Sequence, residues 1–417
     1  MCARRKNAIT EWYKPRPVPR PDFGAGRENR GVLMMKKLYY AAVAAAMVAV
    51  MLLAPGCMMT EIVTSMQAEG DATFMFSDSG TLYRWGDGST FGGEDTYAAL
   101  PFTDVPGAID FAFGDGFAVW LTSDGVAVSG AADMLPVDTT DTTDTTGTTD
   151  TGTVPPTLLC TLNSTGLESS FEHYSLVDAD LSTARQVAAG DDFALVLLQD
   201  GSVYGFGANA GALLTDGAAD GVVALGALSD ACAQNGEETV AQITARGGLC
   251  AAVTSEGRLL YWGEDLPLAS AAPAVLVQAE STGEFIVALD AEGSVWQFDI
   301  VKGEATKLSS PANVISLSAG DGFAVAVDKD GQVWSWGVND SMQLGRETGE
   351  ADAVPAMVEG VDGAIAVSCG RAHSVVLRKD GTLWVWGAGE SGQLASVVDA
   401  SAEPIKLPEI STRVDVR

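Results

Sequence analysis

Over most of the chain apolar and polar residues alternate in short runs, each interrupted by an Asp-Gly or Glu-Gly pair and then resumed. Period-two alternation on both sides of such a pair predicts a β-hairpin with its turn at the glycine. The pattern is sharpest toward the C-terminus. Superimposing Gly331 on Gly381 without a gap places Phe323 on His373, Trp334 on Trp384 and Trp336 on Trp386. Five further copies precede these two, with turn glycines at Gly80, Gly125, Gly201, Gly257 and Gly293. Eight residues before the seven glycines stand Ala72, Phe117, Phe193, Leu249, Phe285, Phe323 and His373; five residues after them stand Trp85, Gly130, Phe206, Trp262, Phe298, Trp336 and Trp386. Only the second copy lacks an aromatic residue at the latter position. A lone hairpin cannot bury its apolar face, so the copies must stack on one another to form a core.

Gly370-Arg371-Ala372-His373, Asp380-Gly381, Trp386-Gly387 and Gly392-Gln393-Leu394 resemble, in order, the repeat of the regulator of chromosome condensation family. The likeness extends over about residues 60–417 and is strongest in the last two copies; elsewhere Phe, Leu or Ala stands in the His position. It implies an all-β fold, a seven-bladed β-propeller, in agreement with the seven copies. The Asp-Gly turns are also similar to the Asp-box of sialidase propellers, but that box needs Thr-Trp after the glycine and this chain has Val-Trp or Leu-Trp.

Charge narrows the partners. The net charge is −31, and residues 1–37 hold ten of the 24 basic residues and only three of the 55 acidic ones, so the rest of the chain carries −38. Such a surface repels nucleic acid and anionic headgroups. No nucleic-acid partner is expected, and the chromatin contact of eukaryotic family members does not transfer.

The N-terminal region departs from the repeat pattern. Residues 1–33 are basic and proline-rich and read as an upstream extension ahead of a true start at Met34 or Met35. Lys36-Lys37 and the apolar run Leu38–Ala54 form a secretory signal over residues 34–57, in a bacterial exported protein. It ends in Ala54-Pro55-Gly56-Cys57, a lipoprotein-box-like sequence that makes Cys57 the candidate lipidation site. Cleavage after Gly56 without lipid, or an uncleaved anchor, are the alternatives. Residues 58–68 are then expected to be a tether, and 69–417 the propeller.

The second copy carries an insert at about residues 131–183, of which 138–153 is almost solely Asp, Thr and Gly and can bury nothing. From five residues after one turn glycine to eight before the next, the connection spans 63 residues in the second copy and 43 in the third, against 23 in the shortest. Surplus loops on a rigid scaffold are a usual seat of binding. Phe171, His173 and Tyr174 of the insert are therefore the candidate partner-binding residues; neutral drift in a surface loop is the plainer alternative. Of the six cysteines, Cys250 and Cys369 are expected as buried thiols, and export permits a disulfide between Cys160 and Cys232.

Catalytic chemistry is not evident. His373 occupies a slot that elsewhere holds Phe or Leu, so it is expected as a packing residue lining the channel. Asp328-Lys329-Asp330-Gly331 imitates the start of a calcium loop without the distal ligands, and a hairpin turn explains it better. No paired His or Cys has metal spacing, and no cofactor is expected. The reading is a non-enzymatic, extracytoplasmic, lipid-anchored, monomeric propeller of the cell envelope that binds an unknown protein or envelope ligand. A glycan-active lyase or glycosidase and a purely architectural surface protein are the alternatives. The strand completing the first blade is expected from Arg413-Val414-Asp415-Val416, with Ile62–Ala68 as competitor.

Overall fold

The computed structural model describes residues 63–77, 81–88, 95–102, 108–115, 117–122, 125–130, 158–162, 172–175, 181–207, 222–263, 266–349 and 351–407. The chain divides into two units, Met1–Tyr39 and Tyr40–Arg417, and all of these residues lie in the second.

The described residues are nearly all β: seven blades in a propeller, antiparallel except for one strand pair in blade 2. Blade 1 comprises Val63–Glu69, Ala72–Ser77, Leu82–Gly86 and Thr96–Phe102. Blade 2 begins with Ala108–Phe113, Phe117–Thr122 and Gly125–Gly130; blade 3 is Ala184–Ala189, Phe193–Leu198, Val203–Gly207 and Val223–Ala224. Blade 4 is Val240–Arg246, Leu249–Thr254, Leu259–Gly263 and Leu266–Ala271, and blade 5 is Leu276–Ser281, Ile286–Asp290, Val295–Asp299 and Glu304–Lys307. Blade 6 is Val314–Gly320, Phe323–Asp328, Val333–Val338 and Ala351–Met357; blade 7 is Ala364–Cys369, His373–Arg378, Leu383–Ala388 and Ala400–Lys406. The first strand of each blade lines the channel.

Two sequence expectations are corrected here. Val63–Glu69 pairs with Ala72–Ser77 as the inner strand of blade 1, so residues 63–68 belong to the propeller and are no tether. Residues 413–416 lie outside the described residues, and the slot assigned to them is already filled. Each blade is therefore built from one contiguous piece of chain.

The insert in blade 2 continues the sheet outward. Leu158–Leu162 pairs in parallel with Gly125–Gly130, and Glu172–Ser175 pairs antiparallel with Leu158–Leu162. The surplus in blade 3 is also partly structural. Helix α1, Gly226–Ala233, buries Leu228 and Cys232 among Leu195, Leu197, Val240 and Trp262. Cys232 is a free thiol there, so the bridge expected with Cys160 is not formed; the helix turns its sulfur into the core. Cys250 and Cys369 are likewise free and buried.

The hairpin chemistry follows the sequence. Gly331 has φ +80°, and a Cβ there would come within 2.8 Å of Gly363 Cα, so only glycine closes the turn. Asp328 Oδ1 accepts the backbone N–H groups of Asp330 and Gln332 at 3.0 Å each, and its Oδ2 accepts the Trp334 indole N–H at 3.0 Å. The calcium-like sequence is thus a turn whose carboxylate is spent on the turn itself. Asp290 does the same in blade 5, through Glu292, Ser294 and Trp296.

The core lies between blades. Seven apolar clusters occupy the seven interfaces. Residues five after the turn glycine pack against the preceding blade: Trp85, Trp262, Trp336 and Trp386 are at most 1% exposed. Those eight before it, such as Phe193 and Phe323, pack against the following blade. Blade 2, which has Gly130 in place of the aromatic, fills its interface with blade 1 differently. Phe74 and Phe111 lie 4.7 Å apart between ring centroids, and Trp120 lies 5.3 Å from Phe111.

A belt of side chains also links the inner strands. Gln186 donates to Ile243 O (2.9 Å) and accepts from Ile243 N (3.0 Å); Gln242 does the same to Ala279 (2.9 and 2.7 Å). Gln278 donates to Leu317 O (2.8 Å), Ser316 Oγ accepts from Val367 N (3.1 Å) and Ser368 Oγ accepts from Ala68 N (2.8 Å). Gln67 donates to Phe111 O (2.5 Å), and Asp110 Oδ2 accepts from Val187 N (3.1 Å), completing the circuit. Each inner strand would otherwise present an unpaired edge to the channel; the side chains of the preceding blade occupy it.

Candidate functional site at the channel mouth

Where the inner strands turn into the second strands, the blades meet through their backbones. Asp115 N–H donates to Asp191 O (2.7 Å), Asp191 N–H to Gly247 O (3.1 Å), Asp321 N–H to Arg371 O (3.0 Å) and Arg371 N–H to Gly70 O (2.6 Å). This rigid rim frames a cleft of about 450 Å³ at one mouth of the channel. Five blades supply its charged lining: Asp191, Arg246, Glu284, Asp321 with Asp340, and Arg371. Backbone at Gly247, Gly283 and Gly322 forms much of the rest.

Arg246 is the centre of this arrangement. It ends the inner strand of blade 4 and reaches over the channel to blades 1 and 6. It donates to Asp321 Oδ1 (3.0 Å), Glu69 Oε2 (3.4 Å) and Ala319 O (3.2 Å). Burial disfavours its charge, but Glu69 and Asp321 outweigh this and hold the guanidinium above its usual pKa. Burial pushes Glu69 up to about 7, with Arg246 opposing. It pushes Glu280 up to about 7 against a bond from Gln278 and the charge of Arg246. Asp110 is raised to about 6 by burial, against bonds from Val187, Phe111 and Gln67. Burial of carboxyl groups in a narrow channel is the common cause.

On the rim, residues 339–345 of blade 6 fold over the third strand. Asn339 Oδ1 accepts from Leu344 N (2.9 Å), Gln343 Oε1 accepts from Ser341 N (2.8 Å), and Gln343 Nε2 donates to Asp340 Oδ1 (3.2 Å). The carbonyl of Gln343 accepts the Trp386 indole N–H of blade 7 (2.8 Å), as the carbonyl of Gln393 accepts that of Trp85 in blade 1 (2.9 Å). The Gln-Leu of the repeat thereby fixes the next blade's tryptophan.

Of the residues singled out in sequence, those described do not converge on this cleft. His373 is fully buried between blades 7 and 1, with Nε2 2.8 Å from Thr73 Oγ1. Burial, and then Arg246, lower its pKa to about 3, so it is a neutral packing group and does not line the channel. The backbones of His173 and Tyr174 lie on the outermost strand of blade 2, opposite Cys160 and Leu159. Phe171 and Cys57 lie outside the described residues. The cleft residues Arg246, Glu284 and Arg371 were missed because each is single in its own copy. Only closure of the ring brings them together.

Fold and channel define a seven-bladed propeller. A sequence profile of the regulator of chromosome condensation (RCC1) repeat matches residues 330–377, and a second profile of that repeat matches 184–210, 314–343 and 364–393. These matches, in blades 3, 6 and 7, together with the seven blades, support that family. Among solved structures, Prp20p from Saccharomyces cerevisiae, described with its binding properties to Gsp1p and histones, is 15% identical. It covers 85% of this chain and 88% of its own, with a TM-score of 0.56. Yeast RCC1 (Prp20) bound to Kap60 is 16% identical over 85% of this chain and 86% of its own, with a TM-score of 0.58. At that identity the likeness is one of fold. No curated protein matches the chain in sequence. Among the described residues no helix is long and apolar enough to cross a membrane, and no group of three His, Cys, Asp or Glu residues could hold a metal.

Proposed function

We propose that this chain is a protein-binding propeller that acts outside the cytoplasm, tethered by lipid at Cys57, and that the channel mouth is its docking face. The observation that carries the reading is the cleft of about 450 Å³, whose charged groups come from five blades on a backbone-bonded rim. A rigid concave surface with fixed charges suits recognition of a partner. The solved relatives of this fold are described in complex with, or binding to, proteins, which supports the same class by analogy of fold. The chain is a binding module, not an enzyme: Arg246, the most central cleft group, is engaged with Glu69 and Asp321 and braces the channel. The signal-like residues 34–57 and the acidic surface support an extracytoplasmic site with no nucleic-acid partner.

The test is affinity capture from envelope extract by the protein with single-residue labels at the rim. Photo-crosslinkers at Ser341 and Glu284 are expected to capture a protein, and one at Lys302, outside the cleft, is not. Crosslinks at Lys302 alone, or none at all, overturn the reading. For the tether, radiolabelled palmitate is expected on the wild-type chain and absent from Cys57→Ser. Equal labelling of both refutes lipidation at Cys57.

A further inference from the structure

The residues 339–345 of blade 6 and their counterparts in blade 7 share one backbone shape. Gln343 corresponds to Gln393, and Met342 to Gly392. The position before the glutamine is left-handed in both, with φ +65° at Met342 and +88° at Gly392. Glycine adopts that conformation freely, whereas a side chain is strained in it. Met342 is nonetheless there, and 43% exposed. Its neighbours Ser341 and Gln343 both line the cleft. Met342 thus holds a partly exposed apolar side chain beside the cleft on a strained backbone, and strain of this kind concentrates at sites of function.

The cleft itself has an unbalanced charge. Its lining presents Asp191, Glu284, Asp321 and Asp340 against Arg246 and Arg371. Arg246 is already paired with Asp321 and with Glu69. Burial raises the pKa of Asp71 and of Asp191, and Arg371 lies close enough to oppose the rise in both. Glu284 has no basic partner among the described residues, and Asp340 receives only the neutral Gln343 amide. What remains is a concave seat with surplus negative charge and an apolar side chain at its lip.

We propose that the channel mouth and Met342 together receive a basic-apolar segment of a protein partner: an arginine or lysine side chain enters the cleft toward Glu284 and Asp340, and the adjacent apolar side chain packs on Met342. Charge complementarity selects the basic residue, and a methionine at a mouth is an adaptable apolar contact. This rests on the binding role proposed above and specifies the chemistry of the partner.

The experiment uses fluorescein-labelled dodecapeptides in a Gly-Ser background containing two Arg-Leu pairs, read by fluorescence anisotropy. Binding is expected with the Arg-Leu peptide. It is expected to be lost when each Arg is replaced by Glu and weakened when each Leu is replaced by Ser. The double variant Glu284→Gln, Asp340→Asn is expected to weaken binding at least about tenfold. Met342→Gly is expected to weaken it several-fold while leaving the melting temperature unchanged or raised, because glycine relieves the left-handed strain. The Glu-substituted peptide binding equally well overturns the proposal, as does wild-type affinity in these variants or no binding of the Arg-Leu peptide. A fall in the melting temperature of Met342→Gly without a change in affinity makes Met342 structural and also overturns it. A protein crosslinked at Ser341 whose capture is unaffected by these substitutions leaves the binding role standing and removes only this assignment.

Discussion

Trp336 and Trp386 occupy the same repeat position and are equally buried, yet their indole N–H groups differ. That of Trp386 donates to Gln343 O at 2.8 Å, while that of Trp336 has no acceptor among the described residues. The cause lies one blade earlier. Residues 339–345 of blade 6 supply the carbonyl for Trp386, whereas blade 5 passes from its third to its fourth strand through a tight turn, Gly303 N–H to Asp299 O at 2.8 Å, with no segment equivalent to residues 339–345. Substituting Phe at each site removes a similar volume, a common loss of roughly 1–2 kcal/mol. At 386 a hydrogen bond is lost as well, worth about 1 kcal/mol net; Gln343 O keeps its bond from Ser374 Oγ, so it is not orphaned. At 336 an unpaired buried donor is removed, which returns roughly 1–3 kcal/mol. Trp336→Phe is therefore expected within about 1 kcal/mol of the wild type, and Trp386→Phe about 2–3 kcal/mol less stable. Equilibrium urea unfolding, with midpoints compared at a common slope, measures the difference. Equal losses, or a larger loss at 336, would refute the argument from donor satisfaction.

The other expectations concern charge, the belt and the thiols. Glu69 and Glu280 near pKa 7 and Asp110 near 6 lie above their usual values, so the stability they contribute is full below about pH 4 and is lost as pH rises through about 6 to 7. His373, near 3, works oppositely: its contribution is present above about pH 6.5 and is lost as pH falls toward 3. The melting temperature should thus peak near about pH 4 from these groups, and His373→Phe should flatten the acid side; a wild-type maximum near pH 8 contradicts this. Gln242→Ala removes two bonds to Ala279 and should cost about 1–2 kcal/mol and speed hydrogen exchange at the Ala279 amide. Unaltered exchange would mean the belt does not protect the inner strands. Burial and Glu238, partly offset by Arg258, raise the Cys232 thiol, so it should resist thiol reagents until the protein unfolds; fast labelling of the native chain would contradict the packed helix.

The turn glycines and the aromatic residues five places on were enough to read seven hairpins and an interblade core, because turn chemistry and alternation are local. The belt was not read from the sequence, although a regular spacing marks it. Asp110, Gln186, Gln242, Gln278 and Ser316 each stand seven residues before Phe117, Phe193, Leu249, Phe285 and Phe323, which begin or immediately precede the second strands. Blades 7 and 1 obscured it by moving the bonding residue two places along the same strand face, to Ser368 and Gln67. Closure was not legible, since Val63–Glu69 and residues 413–416 both carry strand-like alternation and a short strand holds too little information to rank them. Nor was the cleft, whose members lie on the turns of five copies. Met342 differed visibly from Gly392, but the meaning of that difference depends on a backbone angle.

The contiguity of each blade has an evolutionary consequence. Where a sheet is shared between the two ends of a chain, a change in copy number must preserve that shared sheet. Here the junction between blades 7 and 1 is made by the same kinds of contact as the others: Ser368 to Ala68, Gln393 to Trp85, Glu390 to Tyr97. A duplication or deletion of one four-strand unit would therefore sever no sheet. The ancestral gene could have grown by whole units, with selection acting afterward on the few rim residues that distinguish one copy from the next.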